Sequence, residues 1–272
     1  MEEKFSVLLS VYRKERPEWF RESLESVFGQ TVRPAEVVLV ADGPLTAELD
    51  AVVDEFTRRE ATLRVVRLPE NGGLGRALNE GLRHCSYELV ARMDTDDVCK
   101  PWRFERQLTV FAEHPEVDIC SAWIDEFTVD KEHVTSQRRL PELHDDIARY
   151  ARKRCPVNHP SVMYKRSVVL GLGGYQGFPE DYYLWVRMLM HGCRFYNVQE
   201  SLLWFRFPAD VLKRRGGWRY AKDDVRAQWR FWRTGFLTVP ELVRNVAVRT
   251  AVRLMPNGLR TWVYRHLLRR EG

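Results

Sequence analysis

The stretch Glu88–Asp97, ELVARMDTDD, places three aspartates directly after an apolar run that is typical of a buried strand. Three carboxylates within four residues repel one another unless a positive charge lies between them. A divalent cation is the obvious partner, because it prefers oxygen ligands and bridges carboxylates to phosphate oxygens. Asp94 and Asp96 are therefore candidate metal ligands. The alternative is a solvated acidic turn, since aspartate is common in turns.

Upstream of this stretch, apolar strand-like runs alternate with helical patterns. The predicted strands are 5–11, 36–41, 63–68 and 88–93, with a fifth over 118–123. The predicted helices are 17–29, 46–58, 75–84 and 101–113. Strands separated by helices indicate right-handed crossovers and an α/β fold with a mostly parallel sheet between helices. Ligands of such sheets bind beyond the carboxyl ends of the strands, which directs attention to the loops there.

Two of those loops carry further candidates. Asp42-Gly43 follows the second strand, where the carboxylate can accept hydrogen bonds from a nucleobase or ribose, although an isolated Asp-Gly is often only a turn. Asn71–Arg76, NGGLGR, follows the third strand. Its glycines let the backbone approach a ligand, and the helix that follows offers free N–H groups. With Arg76, this loop could help to hold a nucleotide.

The alternation breaks down between residues 128 and 208. The pattern predicts helices near 144–154 and 180–191 and short strands near 161–164, 195–198 and 202–207. Glu180 and Asp181 open the second helix, where acids either act chemically or simply favour the helix dipole. Trp185, on the same helix, could stack on a sugar or fill the core, and His159 is a lesser candidate. We expect this half to close over the sheet edge and to supply an acceptor site.

Charge is distributed unevenly along the 272 residues. Residues 210–272 contain 15 lysines and arginines against 5 acidic residues, whereas residues 1–209 contain 28 against 33. This indicates a domain over 1–209, with halves 1–125 and 126–209, and a basic helical tail over 210–272. Amphipathic patterning over 237–254 predicts a helix that lies on an anionic membrane surface or, alternatively, packs on the domain.

Several other features limit the location of the protein. No apolar run reaches the roughly 18 to 20 residues that a membrane-spanning helix needs. The N-terminus lacks a signal-peptide cleavage site, and five isolated cysteines without CxxC spacing argue against a disulfide framework or a structural zinc site. We expect reduced thiols and a cytoplasmic protein, peripheral on the inner face of the plasma membrane.

Taken in order, these pieces resemble the inverting glycosyltransferases of family 2, which have the GT-A fold. The resemblance covers most of the first 207 residues and is closest to bacterial enzymes that build exopolysaccharide, capsule or O-antigen. The segments that carry it are SVLLSVYRKERPEWFRESLESVFGQT, EVVLVADG, LPENGGLGRALNEGL, ELVARMDTDD with its DxD motif, and FPEDYYLWVRML.

The resemblance implies a role for each candidate residue. Residues of the nucleotide-sugar site would be Tyr12, Asp42, Arg76, Asp94, Thr95 and Asp96. Mn²⁺ or Mg²⁺ would be held by Asp96 and Asp94. Asp181 would be the general base with Glu180 beside it, and Trp185 and His159 would contact the acceptor.

The resemblance also implies the partners and the kind of transfer. The donor would be a UDP-linked nucleotide sugar and the acceptor a glycan or a lipid-diphosphate-linked sugar, with no nucleic acid involved. The QxxRW motif of processive synthases is not met, because residues 228–232 read QWRFW. The expectation is therefore the transfer of a single sugar.

Three other classes remain as alternatives. Asp94–Val98, DTDDV, fits the DxDx[TV] signature of haloacid dehalogenase-like phosphatases using Asp94 and Asp96, but that family places it on the opening strand. A sugar nucleotidyltransferase needs a glycine-rich loop after the first strand, and Tyr12–Arg16 contains no glycine. A non-enzymatic basic module that binds membrane or nucleic acid would leave the acidic cluster unexplained.

Overall fold

The apolar runs of the first half form four parallel strands in the computed structural model, which describes residues 3–207, 217–256 and 258. These strands are β1 (Phe5–Val11), β2 (Glu36–Ala41), β3 (Leu63–Arg67) and β4 (Leu89–Asp94). They lie in the order β3-β2-β1-β4, so β1 is central in this half. The strand bounds agree with the prediction to within a residue. The parallel arrangement brings the loops after β1, β2 and β4 to one edge of the sheet.

Four helices connect and cover these strands. They are α1 (Pro17–Phe28), α2 (Ala47–Arg59), α3 (Leu74–His84) and α4 (Arg103–Glu113). Thr46 caps α2 as predicted, with its Oγ1 accepting from the Leu49 N–H at 3.4 Å. Alternate residues of β1 enter different cores: Leu9 packs with Phe20 on one face of the sheet, and Leu8 packs with Leu78 on the other.

The second half of the sheet, where the alternation of strands and helices breaks down, combines parallel and antiparallel pairs. Its strands are β5 (Val98–Cys99), β6 (Val117–Phe127), β7 (Val134–Arg138), β8 (Met163–Lys165) and β9 (Arg194–Arg206). The order continues from β4 through β8, β6 and β9 to β5, and β7 pairs with β6. β8 is antiparallel to both β4 and β6, which requires no helical crossover. The sheet is thus parallel in its first half and mixed in its second.

The predicted strands 195–198 and 202–207 are one long strand, β9. Its pairing with β6 is parallel but slips between Ala122 and Trp123, which face Val198 and Ser201 respectively. The two extra residues, Gln199 and Glu200, form a bulge that interrupts the apolar alternation without ending the strand. A polar interruption in the sequence therefore marks an irregularity, not a loop.

Three helices of the second half precede the basic region. They are α5 (His144–Ala151), α6 (Arg166–Gly171) and α7 (Glu180–Met190). Two of them correspond to predicted helices, and α6 was not predicted. α7 packs its buried side chains, including Trp185 and Met188, into the same core as Leu8. This packing fixes the position of the acidic residues at its N-terminus.

The basic region forms a helical hairpin of α8 (Trp218–Arg233) and α9 (Val239–Leu254). Thr238 and Glu241 form a capping box that begins α9. The hairpin packs on α7 through Phe231, which contacts the Tyr182 ring at a centroid distance of 4.8 Å. Asn245 Nδ2 donates to the Arg152 carbonyl at 2.8 Å. In the described part of the tail, packing on the domain is therefore the observed arrangement.

The proposed boundary at 209/210 and the end of the tail, 257 and 259–272, lie outside the described residues. Within the described ranges, no helix combines the length and the low polarity that crossing a bilayer requires.

Candidate active site

A cavity of about 490 Å³ lies where the end of β4 faces the beginning of α7. Asp94 lines it from the strand, and Glu180 and Asp181 line it from the helix. His159 and Asn158 contribute from the loop before β8. Two motifs that are about 85 residues apart in the sequence therefore share one space, as the sequence predicts.

Three aspartates form an acidic cluster beside this cavity. Oxygens of Asp94, Asp96 and Asp97 lie within 4.8 Å of one another. Asp97 Oδ1 accepts from the Arg206 N–H at 2.8 Å, whereas its buried Oδ2 has no hydrogen-bond partner. Burial, and then the Asp94 charge, raises the pKa of Asp96 to about 6. Converging carboxylates with an unsatisfied oxygen are what a hard divalent cation requires, so this donor set fits Mg²⁺ or Mn²⁺.

Glu15 is a fourth acid at this cluster and was not singled out from the sequence. It lies in the loop after β1, and burial together with the Asp96 and Asp94 charges raises its pKa to about 8. The available signal was its position, because this loop follows the carboxyl end of the central strand. A protonated Glu15 can donate a hydrogen bond in the free protein, and a bound cation would favour its ionised form.

Arg92 holds the first aspartate of the DxD motif and was also not singled out. Its side chain is 1% exposed, and its guanidinium donates to both carboxylate oxygens of Asp94, with NH1 at 2.5 Å from Oδ2. A bidentate pair of this kind fixes both position and orientation. The signal in the sequence was a charged residue in the otherwise apolar run LVARM, residues 89–93.

Asp181 lies at the cavity wall, where burial and nearby cations act on it in opposite directions. Burial raises its pKa, while the Tyr182 backbone N–H and the charges of Arg92 and Arg138 act in the opposite direction. Burial likewise raises the pKa of Glu180. A carboxylate that is desolvated but kept ionisable is suited to accept a proton near neutral pH. The geometry therefore supports an acid–base role for this residue.

Asp42 organises the glycine-rich loop. Its carboxylate accepts from the Gly72 N–H at 2.8 Å, from the Gly73 N–H at 3.0 Å and from Asn71 Nδ2 at 2.9 Å. Gly43 has a φ of 84°, and a Cβ there would lie 2.6 Å from the Asn71 nitrogen, so only glycine fits. Asp42 thus joins the ends of β2 and β3 at the edge where Asp94 also lies.

Comparison with known proteins identifies the family. The model of glycosyl transferase family 2 matches residues 6–170, which include β1, the DxD motif and β8. The chain belongs to glycosyltransferase family 2.

Relatives of this glycosyltransferase match along nearly the whole chain. It is 37% identical to the UDP-Gal:alpha-D-GlcNAc-diphosphoundecaprenol beta-1,3-galactosyltransferase of Escherichia coli, over 98% of this chain and 97% of the relative. It is 39% identical to the amylovoran biosynthesis glycosyltransferase AmsE of Erwinia amylovora, over 96% of this chain and 97% of the relative. The helical hairpin is included in these matches.

Solved structures establish the fold as GT-A. A mannosyltransferase from Pyrobaculum calidifontis, in complex with GDP-Man and Mn²⁺, superposes with a TM-score of 0.66 at 18% identity. It covers 97% of this chain and 70% of the other. TarS from S. aureus, in complex with UDP-GlcNAc, gives a TM-score of 0.64 at 17% identity and covers 97% and 72%. The predicted fold class is confirmed.

The glycosyltransferase has two residues, Trp185 and Thr95, whose side chains were predicted to contact a ligand but are buried. Trp185 is 0% exposed and packs edge-on against His159 and Tyr175, at centroid distances of 5.9 and 6.3 Å, so it has no surface for an acceptor. Thr95 is 3% exposed, and its Oγ1 donates to the Ser10 carbonyl at 3.3 Å. Both side chains support the site by packing, which the spacing of residues alone does not distinguish from ligand binding.

The remaining predicted residues lie where a ligand could reach them. Tyr12 is 38% exposed beside Glu15, and Arg76 pairs with Glu70 Oε1 at 3.1 Å on the surface. His159 is half-buried at the cavity, with Nε2 3.1 Å from the Tyr175 hydroxyl. Burial and the Arg92 charge hold its pKa well below the ordinary value, so it is neutral. Tyr12, Arg76 and His159 stay candidate contacts.

The helical hairpin supplies one wall of the cavity, which the sequence did not predict. Tyr220 and Asp224 of α8 and Arg249 and Arg253 of α9 line it opposite the end of β4. A larger depression of about 630 Å³ lies on the outer face of α8 around Trp229, but none of the residues that line it is acidic. The cavity with the two acidic motifs is therefore the candidate active site.

Proposed function

We propose that this glycosyltransferase transfers one sugar, with inversion, from a UDP-sugar to a lipid-diphosphate-linked acceptor in bacterial surface polysaccharide synthesis. The observation that carries the proposal is that Asp94 of the DxD motif and Asp181 line one cavity. The names of the two relatives, one acting with UDP-Gal on a diphosphoundecaprenol-linked sugar and one in amylovoran synthesis, support this choice of substrates. Transfer of a single sugar is consistent with the absence of QxxRW at 228–232.

Asp181 is the general base in this proposal. It accepts the proton of the acceptor hydroxyl as that oxygen attacks the anomeric carbon, while the bond to the UDP oxygen breaks on the opposite face of the sugar. Positioning the acceptor against a desolvated carboxylate accelerates the displacement. One displacement inverts the anomeric configuration. Glu180, adjacent on α7, lines the same wall and keeps it polar.

Asp94, Asp96 and Asp97 would hold a divalent cation. Arg92 orients Asp94, and the Arg206 backbone N–H orients Asp97, so two of the three ligands are positioned before the ion arrives. When bound, Mg²⁺ or Mn²⁺ neutralises the donor diphosphate and stabilises charge on the leaving group. The Mn²⁺ in the Pyrobaculum calidifontis complex supports this assignment.

The outer face of the hairpin would lie on the inner surface of the plasma membrane. Trp218, Val225 and Trp229 recur at helical spacing on α8 and are 59%, 36% and 52% exposed. Lys222 and Arg226 lie between them. Exposed tryptophans among basic residues suit the interface of an anionic bilayer. A peripheral position there would give the enzyme access to a lipid-linked acceptor.

The test is Asp181→Asn, assayed with Mn²⁺, a panel of UDP-sugars that begins with UDP-galactose, and an alkyl-diphosphate-linked α-GlcNAc. We expect transfer to fall about 10² to 10⁴-fold, the usual contribution of a positioned base, with UDP affinity unchanged. Asp54→Asn, at an exposed position of α2, is the matched control. Normal turnover by Asp181→Asn would refute the base assignment.

A further inference from the structure

We propose that Arg249 and Arg253, together with Tyr220, bind the diphosphate of the acceptor at the hairpin wall of the cavity. This inference rests on the proposed function, because it assigns the site of one part of the proposed acceptor. It concerns a set of residues outside the DxD and Glu180–Asp181 motifs and outside the segment that the family model matches.

The two arginines converge on a single carboxylate. Arg253 Nε donates to Asp224 Oδ2 at 2.6 Å, and Arg249 NH1 lies 3.3 Å from Asp224 Oδ1. The side chains of Arg249, Arg253 and Asp224 are 20%, 12% and 10% exposed, yet all three line the cavity. Arg249 NH2 also donates to the Lys153 carbonyl at 3.0 Å. The guanidinium groups are thus held in place at the cavity wall before any ligand binds.

The charges leave this wall positive. One carboxylate faces two guanidinium groups, so the trio carries a net charge of one, whereas the rest of the cavity lining has four carboxylates, Asp94, Glu126, Glu180 and Asp181, against Arg92 and Arg138. The Arg253 guanidinium lies 4.7 Å from the Tyr220 ring centroid, which orders it further. Planar guanidinium groups in pairs match the oxygens of phosphate groups, and a diphosphate diester presents two negative charges.

The position of the arginines suits an acceptor and not the donor. The donor diphosphate has its own place at the acidic cluster through a cation. Arg249 and Arg253 belong to α9, on the wall formed by the hairpin, and that hairpin carries the exposed tryptophans Trp218 and Trp229 on its outer face. A lipid-linked sugar bound by its diphosphate at this wall would enter the cavity that contains Asp181.

The first experiment measures binding without donor or metal. Titration calorimetry in EDTA compares octyl diphosphate with octyl monophosphate. We expect the wild type to prefer the diphosphate, and Arg249→Gln and Arg253→Gln each to weaken its binding about tenfold, the loss expected for a charge-assisted hydrogen bond. Arg244→Gln, on the same helix but away from the cavity, should bind like the wild type. Asp96→Asn should lose UDP binding with Mn²⁺ but retain octyl diphosphate.

The second experiment separates binding from folding. Because Asp224 anchors the hairpin through these arginines, thermal unfolding is recorded for every variant, and Arg249→Lys and Arg253→Lys should recover part of the diphosphate affinity. Unchanged diphosphate binding in folded glutamine variants would overturn the inference and leave the arginines a structural role. If the protein binds octyl diphosphate through these arginines but transfers no sugar from any donor, the proposed function is refuted and the assignment of the diphosphate site is retained.

Discussion

Two kinds of carboxylate meet at the active site, and they differ in what neutralises them. Asp94 is paired with a buried guanidinium, whereas Asp96, Asp97 and Glu15 are desolvated, and neighbouring aspartate charges add to burial in raising their pKa values. The first arrangement keeps a ligand atom in place in the free protein. In the second arrangement, the crowded carboxylates destabilise the metal-free protein, and a bound divalent cation removes that cost. Such a site therefore binds a divalent cation more strongly than a site whose carboxylates are already paired.

The stored repulsion predicts a pH-dependent stability of the metal-free protein. The folded-state pKa values of Asp96 and Glu15 are raised to about 6 and about 8, so the native state binds more protons than the unfolded state between about pH 4 and about pH 8. The free energy of unfolding therefore falls as the pH rises through that window. Thermal unfolding should show a lower Tm at about pH 8 than at about pH 5, and MnCl₂ should raise the Tm more at the higher pH.

Asp96→Asn is the control for this pH dependence. It should flatten the decrease in Tm and abolish the effect of MnCl₂, because it removes both a repelling charge and a ligand. A metal-free Tm that rises steadily over the same range would contradict the electrostatic description of the cluster.

Arg138 is predicted to tune the general base. Its charge is one of the groups that lower the pKa of Asp181 against the larger effect of burial. Arg138→Gln removes that cation, so the pKa of Asp181 should rise and the acid limb of the pH profile of kcat/KM should move to higher pH. Arg139→Gln, at the exposed neighbouring position, should leave the limb in place. An unshifted limb in Arg138→Gln would exclude electrostatic tuning by this residue.

At the residue scale, the sequence identifies acids better than the groups that position them. Asp94 and Asp96 stand out because three carboxylates within four residues repel one another, and Asp181 stands out because it opens a helix beside a second acid, Glu180. Arg92 was hidden in a strand, and Trp185 resembled a sugar-stacking residue although it is entirely buried. Burial depends on contacts with distant segments, which residue spacing does not report.

At the scale of elements, the glycine-rich loop after β3 depends on a residue at the end of β2. Asp42 accepts three hydrogen bonds from residues 71–73, and it is 3% exposed. The loop that precedes α3 is therefore shaped by a side chain about 30 positions away. If Asp42 also binds the nucleobase, as the sequence predicts, the same carboxylate must both accept these loop hydrogen bonds and contact the nucleotide.

Asp42→Ala should consequently affect both stability and donor binding. It leaves backbone N–H groups at the loop without their acceptor, at a cost of about 1 to 3 kcal/mol in the free energy of unfolding. The freed loop should also raise KM for the UDP-sugar more than it lowers kcat. Urea unfolding and steady-state kinetics measure the two effects. Unchanged stability together with a raised KM would instead indicate that Asp42 acts only on the nucleotide.

The elements that the sequence predicts best are those with local causes. β1 to β4 and α1 to α4 follow hydrophobic periodicity, caps and glycine stops, and their bounds agree with the prediction to within about two residues. β7, β5 and α6 were missed because they are short or polar, and β5 in addition forms only through pairing with β9, which is distant in sequence. β8 corresponds to the strand predicted near 161–164, but its antiparallel pairing with β4 and β6 was not predicted.

At the scale of the whole molecule, the hairpin of α8 and α9 has two faces with different tasks. One face packs on α7 and lines the active site with Tyr220 and Asp224, and the other exposes Trp218 and Trp229. The basic composition of residues 210–272 predicted a helix that binds an anionic membrane surface, but it did not predict that the hairpin lines the cavity. The alternatives of packing and membrane binding are compatible, because a helix has room for both on opposite sides.

The outer face predicts membrane binding that depends on lipid charge and on the tryptophans. In flotation with vesicles containing phosphatidylglycerol, the full chain should float, and it should not float with vesicles of phosphatidylcholine alone. The double variant Trp218→Ser/Trp229→Ser should lose most of this binding while keeping activity toward the short-chain acceptor, since neither side chain lines the active-site cavity. Trp102→Ser, at an exposed tryptophan of the catalytic domain that donates to Glu200, is the matched control. Equal flotation of both variants and the wild type would show that the hairpin does not contact the bilayer through this face.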